Sequence, residues 1–223
     1  MLEIFTHEFL KKKQRAERGT HDPNLAIRVH RALSWLARAE ASDDVDGEFI
    51  FLWIAFNAAY AQEIGVTRPA STKETYRNFA EKINNFDDNK LIYNLIWDEY
   101  PSSIRLLLAN KYVFQPYWDY ENNLISDEAW TSKFRTSVKL ANKALSQGDT
   151  VTIVGLVLDR LYTLRNQLIH GGATWNGAVN RLQLSDGRNF LSKLVPIIIS
   201  LMLENPRQLW GPACYPVTDN KQR

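Results

Sequence analysis

The stretch "EFIFLWIAFNAAYAQEI", residues 48–64, decides the fold of this chain. It is apolar on nearly every face that an α-helix would present, and Asn57 is the polar interruption between Phe49 and Ala61. A helix of this kind is buried, either in a protein core or in a membrane. Because the apolar run falls short of the roughly 20 residues that span a bilayer, we expect the central helix of a helical domain and no membrane span.

Cap and breaker residues divide the sequence on both sides of this helix into further helices. The central helix is expected to be capped by Asp44 or Asp46 and to stop at Gly65. Ser71 and Glu74 stand at capping-box spacing and open the next helix. The other predicted helices cover about residues 2–18, 23–41 (after the Asp22-Pro23 start), 71–84, 127–147 (capped by Asp127 and stopped by Gly148), 150–170 and 188–203.

These elements predict an all-α fold, an up-and-down helical bundle with an inserted set of short helices. We interpret residues 1–223 as a single helical domain whose core helices lie at about 23–65 and 127–203. Residues 66–126 form an aromatic-rich insertion of short helices, and residues 205–223 form a tail extended over the surface. The polar segment 171–187 is expected to be a loop, in which "RLQLSDG" is compatible with a short strand.

Composition excludes several classes of function. The net charge of +2 is too small for a dominant basic surface. Cys214 is the only cysteine, so neither an intramolecular disulfide nor a thiolate zinc site is expected. His7-Glu8 begins a metalloprotease-like motif, but Lys11 stands where its second histidine would be. We therefore expect a cytoplasmic protein with no metal and no cofactor.

The stretch "TLRNQLIHGG", residues 163–172, closes a predicted amphipathic helix and holds the candidate site residues Arg165, Asn166 and His170. Asn166 and His170 are four residues apart and share a helix face, whereas Arg165 points about 140° away from His170. That face continues backwards through Thr163 and Asp159 as a polar stripe. A histidine exchanges protons near neutral pH and an arginine binds phosphate, so the pair suits metal-free phosphodiester cleavage.

A structural explanation of His170 competes with the catalytic one. Histidine near the end of a helix is favoured by the helix dipole, and the glycine after it suits the C′ position. The 15 arginines and four histidines give roughly 0.27 chance pairs at any one spacing, so spacing alone does not separate the two explanations.

"LRNQLIHGG" at the end of an amphipathic helix resembles the motif of the HEPN superfamily, in which arginine and a polar residue are followed at a short distance by histidine. Residues 31–61, "RALSWLARAEASDDVDGEFIFLWIAFNAAYA", are similar to the N-terminal helical hairpin of Apea-like HEPN domains. The resemblance covers about residues 25–64 and 150–203.

This resemblance implies a HEPN-like bundle and a metal-independent endoribonuclease that acts on single-stranded RNA as a homodimer. His170 would be the general base or acid, Arg165 would hold the scissile phosphate, and Asn166 would orient the phosphate or the histidine. The products would be a 2′,3′-cyclic phosphate and a 5′-hydroxyl. Many family members are toxins, with an antitoxin protein as partner, or antiviral effectors.

Two alternatives remain open at this point. Other members of the superfamily have lost activity and bind RNA or partner proteins, which would make Arg165 and His170 contacts or caps. A third hypothesis places the function in the aromatic segment "YVFQPYWDYENN", residues 112–123. Nucleobases stack on such side chains, although packing explains them more often.

Overall fold

Ten α-helices, and no strand, form from residues 5–60, 72–208 and 210–213, which are the ones that the computed structural model describes. The predicted all-α helical bundle is therefore confirmed. A π-helical turn, Leu95–Glu99, follows α5, and a 3-10 turn, Lys111–Val113, precedes α7. The helices are α1 (His7–Glu17), α2 (Pro23–Glu40), α3 (Val45–Tyr60), α4 (Thr72–Asn84), α5 (Leu91–Asn94), α6 (Pro101–Leu108), α7 (Gln115–Glu121), α8 (Asp127–Gln147), α9 (Thr150–Ile169) and α10 (Arg181–Glu204).

Helix α3 is the centre of the bundle, as its apolar sequence predicts. All of its residues are buried or half-buried, with Phe49, Leu52 and Phe56 among the most completely buried. It packs on α2 along its length and on α10, while α4 packs on α9. In the ranges given above, no helix combines the length and the apolar character needed to cross a membrane.

Local capping signals place several of the helix ends. The Asp22 carboxylate accepts from the Asn24 amide and Pro23 occupies the first turn of α2, as predicted. Gly148 ends α8 in the left-handed conformation, with φ of 67°. The N-cap of α8 is Ser126 rather than the predicted Asp127. The predicted stop at Gly65 and the predicted cap at Ser71 lie outside the described residues.

Within the predicted insertion, residues 66–126, short helices fill only the part between α4 and α8. Helices α5, α6 and α7 have four, eight and seven residues. Helix α4 is longer and belongs to the bundle, because it packs along α9. Helix α8 lies at the periphery, since only Ala141 and Ala144 of its 21 residues are buried.

The prediction that residues 181–187 form a loop or a short strand is wrong. They are the first two turns of α10, which begins at Arg181. Gly187 is not a breaker but a contact point, where a Cβ atom would lie 2.6 Å from Leu161 Cδ2 and 3.3 Å from Phe49 Cε2. Glycine here lets α10 approach α3 and α9 closely, and that packing outweighs its weak helix propensity.

The start of the C-terminal tail packs into the bundle instead of lying extended over the surface. Trp210 is buried against Phe86, with ring centroids 5.6 Å apart. The buried guanidinium of Arg28 donates to the carbonyl oxygens of Ala59, Gly211 and Pro212, at 2.9, 3.1 and 2.6 Å. Arg28 therefore ties the tail to α2 and to the end of α3. Residues 214–223 lie outside the described ranges.

Candidate functional site

Helix α9 carries the predicted site at its C-terminal end and is anchored along the rest of its length. Its apolar stripe, predicted from the sequence, is buried at Val154, Val157, Leu161 and Leu164. The Asp149 carboxylate caps its N-terminus by accepting from the Thr152 amide at 3.0 Å. The helix end therefore has a fixed position in the bundle.

His170 is the C-cap residue of α9 and is exposed to solvent. Its backbone amide donates to Asn166 O at 3.0 Å, and Gly171 follows with φ of +71°. This glycine at C′ is the arrangement that the capping explanation predicts. The cap uses only the backbone of His170, and no hydrogen bond to a described residue engages its imidazole. The ring is therefore available for proton transfer.

Arg165 and Asn166 form a pair directly beside this cap. Arg165 Nη1 donates to Asn166 Oδ1 at 3.0 Å, and both side chains are half-buried. The bond turns the guanidinium toward the helix face that Asn166 shares with His170. No hydrogen bond between described residues joins the side chains of Arg165 and His170 directly.

The predicted polar stripe along α9 is not a continuous exposed surface. Thr163 is buried, and its hydroxyl donates to Asp159 O at 3.3 Å. Asp159 is half-buried and lies 3.5 Å from Arg160. The accessible polar part of this face is therefore confined to the last turn, around Asn166 and His170.

Gln167 also belongs to this site, although it is not among the residues predicted from the sequence. Its Nε2 donates to Tyr112 O at 2.8 Å, in the 3-10 turn of the insertion. Its Oε1 accepts from Asn180 Nδ2 at 2.9 Å, and its carbonyl accepts from Ala173 N at 3.1 Å. Gln167 thus joins the insertion and the 171–180 loop to the turn that carries the motif. A polar residue three positions before His170 shares its face, and that spacing was the available signal.

The loop between α9 and α10 is held against the start of α3. Arg181 forms an ion pair with Asp46, with Nη1 and Oδ2 2.7 Å apart, and its Nε donates to Gly177 O at 3.0 Å. The Trp175 indole donates to Asp44 Oδ1 at 3.4 Å. The space beneath the loop measures only about 10 Å³, so the loop is packed against α9.

Arg160, two turns before the motif, fixes the insertion to α9. It is buried, its Nη2 donates to Ser137 Oγ at 2.9 Å and to Leu108 O at 3.4 Å, and its guanidinium lies 4.4 Å from the centre of the Phe114 ring. Burial lowers the pKa of Arg160 to about 10, and the nearby Asp159 carboxylate opposes that shift. Its Nε has no hydrogen-bond partner.

A separate cavity of about 370 Å³ opens between α4, α8 and α9. On α9 it is lined by residues between Asp149 and Asp159, in the N-terminal half of the helix, with Arg77 and Lys143 on the other walls. The candidate site is instead an open helix end. Such a surface suits a polymer or a second protein chain better than a small enclosed ligand.

The last turn of α9 therefore presents one accessible imidazole and one oriented guanidinium on a rigid support. These two groups can move a proton and neutralise a phosphate. In the part of the chain that the structure covers, no three His, Cys, Asp or Glu residues are grouped so as to hold a metal ion. Comparison with protein-family models, with curated proteins and with solved structures finds no match to this chain.

Proposed function

We propose that the chain is a metal-independent endoribonuclease of the HEPN kind that cleaves single-stranded RNA. The observation that carries the proposal is the His170 imidazole, exposed and unengaged at the end of a rigid helix, beside the Arg165–Asn166 pair. The cap uses only the backbone of His170, so the cap hydrogen bond does not require a histidine at this position.

The chemistry follows from the two groups. His170 accepts the proton of a ribose 2′-hydroxyl, whose oxygen attacks the adjacent phosphorus. The P–O5′ bond breaks, which gives a 2′,3′-cyclic phosphate and a 5′-hydroxyl after the leaving oxygen is protonated. Arg165 stabilises the negative charge that develops on the phosphorus oxygens. Asn166 keeps the guanidinium in place through the 3.0 Å bond.

The reaction needs both a proton acceptor and a proton donor, and each chain offers one histidine at this end. A second copy that brings its own His170 to the same phosphate would complete the site. Large exposed apolar side chains in the last turn of α9, in the loop after it and in the first turn of α10 support such a contact: Ile169 is 50% exposed, and Trp175, Val179 and Leu182 are each 74% exposed. Apolar patches of this kind mark protein–protein contacts.

The deciding experiment incubates the wild-type protein with single-stranded RNA in the presence of EDTA. We expect cleavage, with 5′ ends that polynucleotide kinase labels without phosphatase treatment. The matched DNA oligonucleotide, which lacks the 2′-hydroxyl, is expected to stay intact. RNA that is bound but never cut would refute the ribonuclease and support the alternative, a non-catalytic RNA-binding module.

Glutamate substitutions at two of these exposed apolar residues are expected to separate the two copies. The double variant Val179→Glu with Leu182→Glu places two like charges in the proposed contact, so the dimer should become a monomer in sedimentation experiments. RNA cleavage should fall with it. Leu124→Glu is the matched control, because Leu124 is 72% exposed but lies in the insertion, and it should leave the dimer intact. A wild-type chain that sediments as a monomer while cleaving RNA would contradict the composite site.

A further inference from the structure

An exposed tyrosine of the insertion lies next to the motif turn of α9. Tyr112 is 45% exposed, although it makes an edge-on contact with Tyr117 at 5.5 Å between ring centroids. Packing accounts for the buried Tyr117. It does not account for the open part of the Tyr112 ring.

The backbone of Tyr112 is held in place from three sides. Its carbonyl oxygen accepts from Gln167 Nε2 and from Trp118 Nε1, each at 2.8 Å. Its amide donates to Asn110 Oδ1, also at 2.8 Å. These bonds involve only backbone atoms of Tyr112. They hold the residue in position and leave its side chain out of the hydrogen bonding.

The hydrogen bond from Gln167 connects Tyr112 to the helix that carries the proposed reaction centre. Gln167 and His170 are three residues apart on α9 and therefore lie on the same face. The backbone carbonyl of Tyr112 is thus held at the helix face that also carries His170. Burial along this face ends before His170, since Thr163 is buried and His170 is exposed.

The ammonium group of Lys111 lies close to this ring. Lys111 Nζ lies over one face of the Tyr112 ring, 5.1 Å from its centre, and 4.7 Å from the centre of the Tyr117 ring, so a base would stack on the opposite face of Tyr112. An aromatic face beside a lysine ammonium is the combination with which proteins bind unpaired nucleotides, because the base stacks and the phosphate is neutralised.

We propose that Tyr112 and Lys111 form a subsite for one unpaired nucleotide next to the scissile phosphate. The base stacks on the Tyr112 ring, and the Lys111 ammonium pairs with the phosphate of that nucleotide. The substrate is then RNA that is single-stranded at this position, since a base within a duplex has no free face to offer. This inference rests on the proposed function, because it needs RNA at the end of α9.

The test measures RNA binding rather than cleavage. A 12-nucleotide single-stranded RNA carrying one 2-aminopurine is titrated with protein that has His170→Ala, so that it stays intact. Stacking on Tyr112 should quench the 2-aminopurine fluorescence. Adding Tyr112→Ala should abolish the quenching and weaken binding by about 5- to 150-fold. Tyr112→Phe should preserve both, because the ring remains.

Tyr93→Ala is the matched control, because Tyr93 is 43% exposed and lies on α5. It should bind RNA like the parent protein. Lys111→Ala should reduce the dependence of binding on salt concentration, since one phosphate contact is lost. Circular dichroism verifies that each variant is folded. Tyr112→Ala is expected to fold, because the hydrogen bonds at this position involve only backbone atoms.

Different results would disprove the nucleotide subsite and the ribonuclease activity. If Tyr112→Ala binds RNA and quenches 2-aminopurine as the parent does, the subsite is wrong and the ribonuclease proposal stands. If the wild-type protein does not cut single-stranded RNA and the His170→Ala parent does not bind it, the proposed function fails, and the subsite fails with it. Equal loss of binding in Tyr93→Ala and Tyr112→Ala would also overturn the subsite.

Discussion

Replacement of His170 by alanine is expected to lower the rate of RNA cleavage by about 100- to 10,000-fold, the contribution of a positioned acid or base. The side chain is exposed and takes no part in the cap of α9, so its removal should leave the fold unchanged. The measurement is the single-turnover cleavage rate of a labelled RNA, with the unfolding midpoint of each protein determined in parallel.

His30→Ala is the matched control, because His30 is also an exposed histidine on a helix. It should cleave at the wild-type rate. Arg165→Ala should lose activity as His170→Ala does, and Arg165→Lys should recover only part of it, because lysine lacks the planar fork that grips phosphate. If both alanine variants cut like the wild type, the site is not at the end of α9.

Replacement of Arg160 by alanine is expected to reduce the free energy of unfolding by about 2–5 kcal/mol, as for other large buried side chains. The variant loses the bonds to Ser137 and Leu108 and leaves a cavity against Phe114. Arg160→Met should cost much less, because it fills most of the space and removes a buried cation whose Nε is unpaired. Urea denaturation followed by circular dichroism measures both.

Arg135→Ala is the control for the loss of a positive charge, since Arg135 lies exposed on α8. It should shift the unfolding midpoint little. If Arg160→Ala were as stable as Arg135→Ala, the side chain would not be what holds the insertion to α9. If Arg160→Met were as damaging as Arg160→Ala, the charge and its hydrogen bonds would matter more than the volume.

Local sequence signals predicted most of the helices and placed the motif at the end of one of them. The apolar run of α3 predicted its burial, because a helix with no polar face has to be covered. The Asp22-Pro23 start and the Gly148 stop act within one turn, so they can be read without the fold. The same holds for His170 followed by Gly171 at the end of α9. The enzymatic role of His170 and Arg165 stays a prediction.

Tertiary contacts decided what local signals could not. Gly187 looks like a breaker in the sequence, and only its approach to Leu161 and Phe49 explains why it lies inside α10. Neither the bond from Gln167 to Tyr112 nor the contacts of Arg28 with the tail have a periodic signature, since their partners are 55 and more than 180 residues apart. The sequence by itself determined most of the helical segments, although not the first two turns of α10, and it determined where the motif ends one of them. The packing determined which side chains stay exposed around that motif, because exposure depends on what the rest of the chain covers.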